Sequence, residues 1–525
     1  MRDFHLPGRS AVYASNGMCA TSHPLAAQAA VDVLRRGGNA MDAAIAGAVL
    51  LGVAEPQMTG IGGDCFALVS PSGSEEVVAV NGSGRAPNAA TAQRLRDAGH
   101  TSVPVHDVEA ITIPGAIDAF CNMSDKWGKL GLADSLAPAI HYMETGVPVA
   151  PRVAFDWPNS GKCLTGSARQ DFMVNGQVPK IGDMFALPKQ AKLLRKIAKD
   201  GRAAFYEGEA LDDMLATLNG LGGLHSAEDF ADTACTITSP VSGDYKGQEL
   251  LEHPPNGQGI IAHLMLNILS HFDLSNLDPF GADRVHIEAE TAKLAYDARN
   301  RFLADPEHMT KLDHLLSPQT AEKLAGLIDM NRAMTAPAAL SEAVHKDTIY
   351  ITVVDRDRMA VSLIYSIFHG FGSGIASEKF GVLFQNRGAG FSLVSGHPNE
   401  LAGGKRPMHT IIPAMLREQG RVTMPFGVMG GQYQPNGHAR VLTNLVDYGM
   451  DLQSALDAPR SFVDGGKLQL ERGFGDGVRG ELADRGHDIT TPDGPLGGAQ
   501  AIRIRDNGVL EGASDPRKDG CAIGY

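Results

Sequence analysis

Apolar positions recur at helical spacing from Leu25 to Arg36, behind Thr21-Ser22-His-Pro24 and ahead of Gly37-Gly38. This predicts a helix capped by Thr21 or Ser22, with Pro in its first turn and glycine at its stop. Asn39 then caps a second helix to about Ala54 that is apolar on every side, so it has to be buried. Residues 55–63 form a loop, and Cys65 to Val69 and Glu76 to Val80 read as strands. An opening of two helices followed by two strands predicts helices laid over a sheet.

From Asp118 to Met330 the pattern is mainly helical, interrupted at Pro148, Pro151 and Pro188. Residues 331–347 keep no period and read as a connector, either a strained or mobile segment or a plain surface loop. After it come two runs rich in Ile, Val, Tyr and Thr, Thr348 to Val354 and Met359 to Ile367, joined by the polar residues Asp355 to Arg358. That is the pattern of a β-hairpin. The remainder alternates strands with one clear helix, His438 to Tyr448. Gly475-Asp-Gly-Val-Arg-Gly480 fits the dinucleotide spacing of glycines, but the helical run after it is cut short at Gly486, so it reads as a turn.

Composition narrows the function classes. With 43% hydrophobic and 20% charged residues in 525, the chain has ample material for a packed core. Forty-six basic against 60 acidic residues give a net charge of −14, which opposes an extended phosphate-binding surface and makes nucleic acid an unsuitable partner. Lys405-Arg406 remains a local pair suited to one small anion. The longest apolar run, Ala43 to Ala54, is too short to span a bilayer, so no membrane partner is expected. The start of the chain shows no apolar stretch behind a basic residue, and the expected location is cytoplasmic. Six cysteines lie far apart without zinc or redox spacing, so they read as buried free thiols and neither a metal nor a cofactor is expected.

Ordered motifs carry the chemistry: Gly37-Gly-Asn-Ala-Met-Asp-Ala-Ala44, Gly60-Ile-Gly-Gly63, Asp347-Thr348-Ile-Tyr-Ile-Thr-Val-Val-Asp355, Phe371-Gly-Ser-Gly374, Gly427-Val-Met-Gly-Gly431 and Gly512-Ala-Ser-Asp-Pro-Arg517. In these the chain resembles the γ-glutamyltranspeptidase family of N-terminal-nucleophile hydrolases over nearly its full length. The resemblance implies an α+β fold, the four-layer αββα sandwich of that type. It also implies self-cleavage between Asp347 and Thr348, giving a large segment 1–347 and a small segment 348–525 that complete one body as an αβ heterodimer, with further assembly left open.

The chemistry of such a cut is simple. A Thr hydroxyl is a poor nucleophile until a base stands beside it, and the freed α-amine, which ordinarily titrates at about 7.7–8.0, is that base. By resemblance, Gly430 and Gly431 form the oxyanion hole, whose donors each contribute roughly 3 kcal/mol in a hydrolase, and Ser366 supports the Thr348 hydroxyl. A turn before a helix is the plainer reading of the glycine pair. Thr352 reads as packing, and Asp64, in Gly62-Gly63-Asp64-Cys65 where the family often has another Gly, either reaches the site or is a local cap or turn acceptor.

The substrate positions depart from the family. Ser83 stands where the family has its carboxylate-binding Arg, so Arg85 is either a replacement two residues along or a surface charge. His409-Thr410 stand for a pair of serines, with His409 either a donor to a bound carboxylate or a structural ring. The family's Asn, Gln or Glu, and Asp around the substrate ammonium correspond to Phe368, Arg387 and Gly390. A guanidinium about 4 Å from an ammonium is unfavourable by roughly 4 kcal/mol at an effective dielectric of about 20, so Arg387 suits a carboxylate instead, unless it is merely a surface Arg. Only 13 residues lie between Phe391 and Lys405, too few for a long lid, which favours water as acceptor. The expected function is hydrolysis of an amide in a small carboxylate-bearing substrate through an acyl-enzyme. The alternatives are a γ-glutamyltransferase or glutathione hydrolase, and an uncleaved member that binds a metabolite without catalysis.

Overall fold

The computed structural model describes His5 and residues 8–335 and 348–525. Two seven-stranded antiparallel sheets lie at its centre. One has the order Cys521–Gly524, Met18–Thr21, Ile349–Val354, Ala360–Ser366, Asp64–Ser70, Val78–Gly82, Thr236–Thr238. The other runs Val12–Ala14, Leu510–Ser514, Gly498–Ile504, Arg421–Met429, Ala414–Glu418, Gln248–Glu252, Val241–Tyr245. Both sheets mix strands from before and after Thr348, so neither segment owns a complete layer.

Strand alternation explains the layering. Ile349, Ile351 and Val353 point to one side and join the core formed with helices Pro24–Arg35, Ala40–Ala54 and Leu132–Thr145. Tyr350 and Val354 point to the other side, Tyr350 against Ile411 and Met429 and Val354 against Leu251, Met415 and Ile502. With helices on one face and a second sheet on the other, every residue of Ile349–Val354 is buried, hence the unbroken apolar run. Helices Gly259–Leu269, Ala282–Phe302 and Gln434–Val446 cover the outer face of the second sheet. The resulting order is helix, sheet, sheet, helix, the αββα sandwich expected.

Helix Ala40–Ala54 is buried along all fifteen residues and starts with a reciprocal cap between Asn39 and Asp42. Helix Pro24–Arg35 differs from expectation at its start: His23 is the cap, its Nδ1 accepting from the Leu25 N–H at 3.2 Å. The stretch read as helical to Met330 contains five strands, Val147–Pro148, Met184–Phe185, Thr236–Thr238, Val241–Tyr245 and Gln248–Glu252, too short or too polar to show a period. The glycine run at 475–480 opens the helix Asp476–Asp484 and is not a turn. Of the cysteines, Cys19, Cys65 and Cys121 are buried as expected, but Cys163, Cys235 and Cys521 are only partly so, and all six are free thiols. Among the described residues no helix is long and apolar enough to cross a membrane.

Candidate active site

The hairpin and its neighbour set a row of polar side chains on the face between the sheets. Ile349 pairs with Tyr365, and Ser366 pairs with Asp64. Since side chains two apart share a face, Thr348 falls in register beside Ser366, on the side to which Tyr350 points. Asp64 lies on the same face as Phe66, which packs on Tyr350 and Ile364. Three adjacent strands thus bring Thr348, Ser366 and Asp64 into one line.

Contacts follow that register. Thr348 Oγ1 is 3.4 Å from Ser366 Oγ, and both residues are buried. Ser366 Oγ also accepts from Phe368 N–H at 3.0 Å and from Arg387 Nη2 at 3.4 Å. Arg387 Nη1 donates to Thr410 Oγ1 at 3.0 Å. The Arg387 Cζ lies 4.0 Å from the centre of the Phe368 ring. Phe368 has φ +79°, a conformation costly for a bulky side chain, which turns its ring over the guanidinium. Arg387 is fully buried, which removes the surface reading.

Asp64 supplies the countercharge. Its Oδ2 is 3.7 Å from Arg387 Nε and 2.9 Å from His409 Nε2, while Oδ1 accepts from Gly84 N–H and Gln385 Nε2, each at 2.9 Å. Burial pushes the Asp64 carboxyl up to about 6, and Arg387 with the Gly84 N–H holds it from rising further. The same burial lowers Arg387, opposed by Asp64. His409 accepts from the Ile411 N–H at its Nδ1, so Nε2 carries the proton given to Asp64. Burial, then the charge of Arg387, keeps that imidazole neutral. With both ring nitrogens engaged, His409 positions Asp64 and makes no outward contact.

Gly430 and Gly431 follow Met429, whose side chain packs against Tyr350 two residues after Thr348. Gly430 has φ +117°, and a Cβ there would lie 2.9 Å from Gly497 Cα, so the turn requires glycine. It leads through Gly431–Tyr433 into helix Gln434–Val446, so the pair is a turn before a helix, with Gly430 half-buried and Gly431 buried. Gln258 fixes its position, donating from Nε2 to Gly431 O at 2.9 Å and to Thr410 O at 2.7 Å.

Other expected contacts fall elsewhere. Arg85 is part exposed and donates to Gly404 O at 2.9 Å, with Asp305 at 3.5 Å. Arg406 is spent on Ser83 O and Ala234 O, and Lys405 on Glu400 O, so this pair is structural and not an anion site. Thr352 donates to Val361 O, which fits its packing role. Asp347 lies outside the described residues.

Known proteins resemble this chain along nearly its whole length. The family model described as Gamma-glutamyltranspeptidase matches residues 26–525. The chain belongs to the γ-glutamyltranspeptidase family. It is a self-processing N-terminal-nucleophile amidohydrolase. The glutathione hydrolase-like YwrD proenzyme of Bacillus subtilis (strain 168) is 35% identical, covering 98% of this chain and 99% of that protein. The oxamate amidohydrolase proenzyme of Klebsiella pneumoniae subsp. pneumoniae is 33% identical, covering 97% and 99%. A crystal structure of cephalosporin acylase from Bacillus halodurans superposes with a TM-score of 0.92 at 38% identity, over 100% of this chain and 99% of that one.

Within this γ-glutamyltranspeptidase family member, two residues gain a role that their sequence alone does not assign. Asp64, which the sequence leaves between a site residue and a local cap or turn acceptor, opens strand Asp64–Ser70 and faces Arg387. Gln258 lies in His253-Pro-Pro-Asn-Gly-Gln-Gly259, a motif that also looks like the family but assigns Gln258 no role. Its buried amide between Thr410 and Gly431 marks it as the brace of the site.

Proposed function

We propose that the peptide bond between Asp347 and Thr348 is cut, and that the freed Thr348 acts as nucleophile and base on an amide whose acyl part carries a carboxylate. The α-amine takes the Oγ1 proton as Oγ1 attacks the carbonyl carbon. The C–N bond then breaks, and the leaving amine departs with that proton. Water, deprotonated by the same amine, hydrolyses the ester and restores Thr348. Segments 1–347 and 348–525 stay together as an αβ pair because their strands alternate in both sheets.

Gly430 and Gly431 offer N–H groups to the oxyanion. Ser366 takes N–H donors from Phe368 and Arg387 and turns its own proton toward Thr348 Oγ1. The observation that carries the substrate reading is the position of Arg387. Its Nη2 is two hydrogen-bond steps from Thr348 Oγ1, through Ser366. A carboxylate held by this guanidinium therefore belongs to a short acyl group, of oxamate to glutaryl length. Arg85, turned to Gly404 and Asp305, has no part in this reading.

A γ-glutamyl group adds an ammonium, which Arg387 repels while Phe368 offers it no acceptor. The test is a panel of glutaryl-, oxamate- and γ-glutamyl-type amides with the purified enzyme. Faster cleavage of the first two supports the reading. Faster cleavage of γ-glutamyl-p-nitroanilide contradicts it.

A further inference from the structure

A second cluster of ligating side chains lies where the segments before and after Thr348 meet again. Helix Ala282–Phe302 carries His286 and Glu290 one turn apart, and His487 follows helix Asp476–Asp484. All three are buried, and one ligand atom from each lies within 4.8 Å of the others. No spacing in the sequence signals the group, because its third member comes from a distant segment.

The orientation of His286 is that of a metal ligand. Its Nε2 is 2.9 Å from Asp329 O, a contact only a ring N–H can make. The lone pair is therefore on Nδ1, aimed at His487 Nε2 2.8 Å away. A backbone carbonyl on the far nitrogen is the usual device that fixes the tautomer of a metal-bound imidazole. In this pairing His286 donates from Nε2 and accepts at Nδ1, which is the neutral ring. Neutral imidazole is the ligating form.

Glu290 accepts from Lys293 Nζ at 2.7 Å and from Met334 N–H at 2.8 Å, one on each oxygen. An ionised carboxylate has about four lone-pair sites, so each oxygen retains one. Two cations stand by: Lys293, matched by Glu290, and Arg485, matched by Asp283 at 2.5 Å.

We propose that His286, Glu290 and His487 bind a divalent transition metal of the Zn2+ type, which clasps the segment before Thr348 to the segment after it. Two imidazoles and a carboxylate with an open fourth position are an ordinary zinc set. At a Zn–N length of about 2.0–2.1 Å, tetrahedral geometry separates the two ring nitrogens to roughly 3.3 Å, a small opening of the observed pair. His487 shifts its proton from Nε2 to Nδ1 as the metal takes the lone pair, so no net proton is released. Lys293 competes for Glu290 and weakens binding. The cluster also holds the backbone before the cleavage segment, through Met334 on Glu290 and Ala333 N–H on Arg485 O at 2.7 Å. The clasp rests on the proposed cut at Thr348, whereas metal binding does not.

The test is titration of untagged, chelator-treated full-length protein with Co2+ alone, followed by visible absorption, in the wild type and in the uncut Thr348→Ala form. The expected result is the intense spectrum of tetrahedral Co2+ at one equivalent in both, abolished by Zn2+ and absent in His286→Gln and His487→Gln variants whose circular dichroism is unchanged. Lys293→Met should bind about tenfold or more tightly, a gain that damage to the fold does not produce. Absence of the tetrahedral spectrum in wild type, or its persistence in both His variants, overturns the proposal. If Thr348→Ala binds the metal but wild type is never cut, the site stands and the clasp between two chains falls.

Discussion

Asp64 Oδ2 and Arg387 Nε face each other at 3.7 Å, both side chains wholly buried. A substrate carboxylate arriving at Arg387 places a second anion around one guanidinium. Like charges raise each other's pKa, so Asp64, already at about 6 through burial, takes up a proton as substrate binds. KM for a carboxylate substrate should therefore fall as pH drops through about 6. Over the same range kcat should fall as well, because the Thr348 amine, a group that ordinarily titrates at about 7.7–8.0, becomes protonated. Asp64→Asn should flatten the KM profile and leave the kcat profile in place, which a kinetic series from acid to neutral pH reads directly.

Ser366 tests the support of the nucleophile. Removing a hydrogen bond to a group that gains charge costs roughly 1.5–3 kcal/mol, so Ser366→Ala should lower kcat about 10- to 100-fold with little change in KM. Ser366→Thr keeps the hydroxyl and should restore most of the rate. Loss of rate in both variants would show that the hydroxyl is not what matters.

Replacing Arg387 separates binding from folding. Arg387→Ala should raise KM for glutaryl and oxamate amides while leaving an amide without a carboxylate unaffected. It also strands buried Asp64, at a cost of roughly 3–5 kcal/mol. Adding Asp64→Asn should recover part of that stability in thermal unfolding without recovering KM.

Phe368 and Arg387 together set the preference against an ammonium. Asn accepts the left-handed backbone of Phe368 more readily than a bulky ring does, and its carbonyl is an acceptor. Phe368→Asn combined with Arg387→Gln should shift the ratio of γ-glutamyl to glutaryl turnover by about tenfold or more, given a repulsion of roughly 4 kcal/mol at an effective dielectric of about 20. An unchanged ratio would place specificity elsewhere.

The strands and helices that build the site were readable because they are strongly apolar. Helix Ala40–Ala54 and hairpin Ile349–Ser366 have both faces covered and contain little else. Strands Thr236–Thr238 and Gln248–Glu252 were not, since edge positions and half-exposed residues erase the alternation. Arg387 could be named from motif order, but its depth could not: a buried guanidinium is tolerable only with Asp64 and Phe368 beside it, and those contacts join three remote segments. The cap of the first helix went to His23 because a ring nitrogen serves as well as a hydroxyl there.

Intact mass spectrometry of the purified, aged protein beside Thr348→Ala tests the central claim most directly. The account predicts two fragments of roughly two-thirds and one-third of 55.5 kDa, the smaller beginning at Thr348, and a single uncut inactive chain in the variant. A continuous wild-type chain that hydrolyses amides at full rate, or a cut that leaves Thr348 inside a fragment, would contradict it.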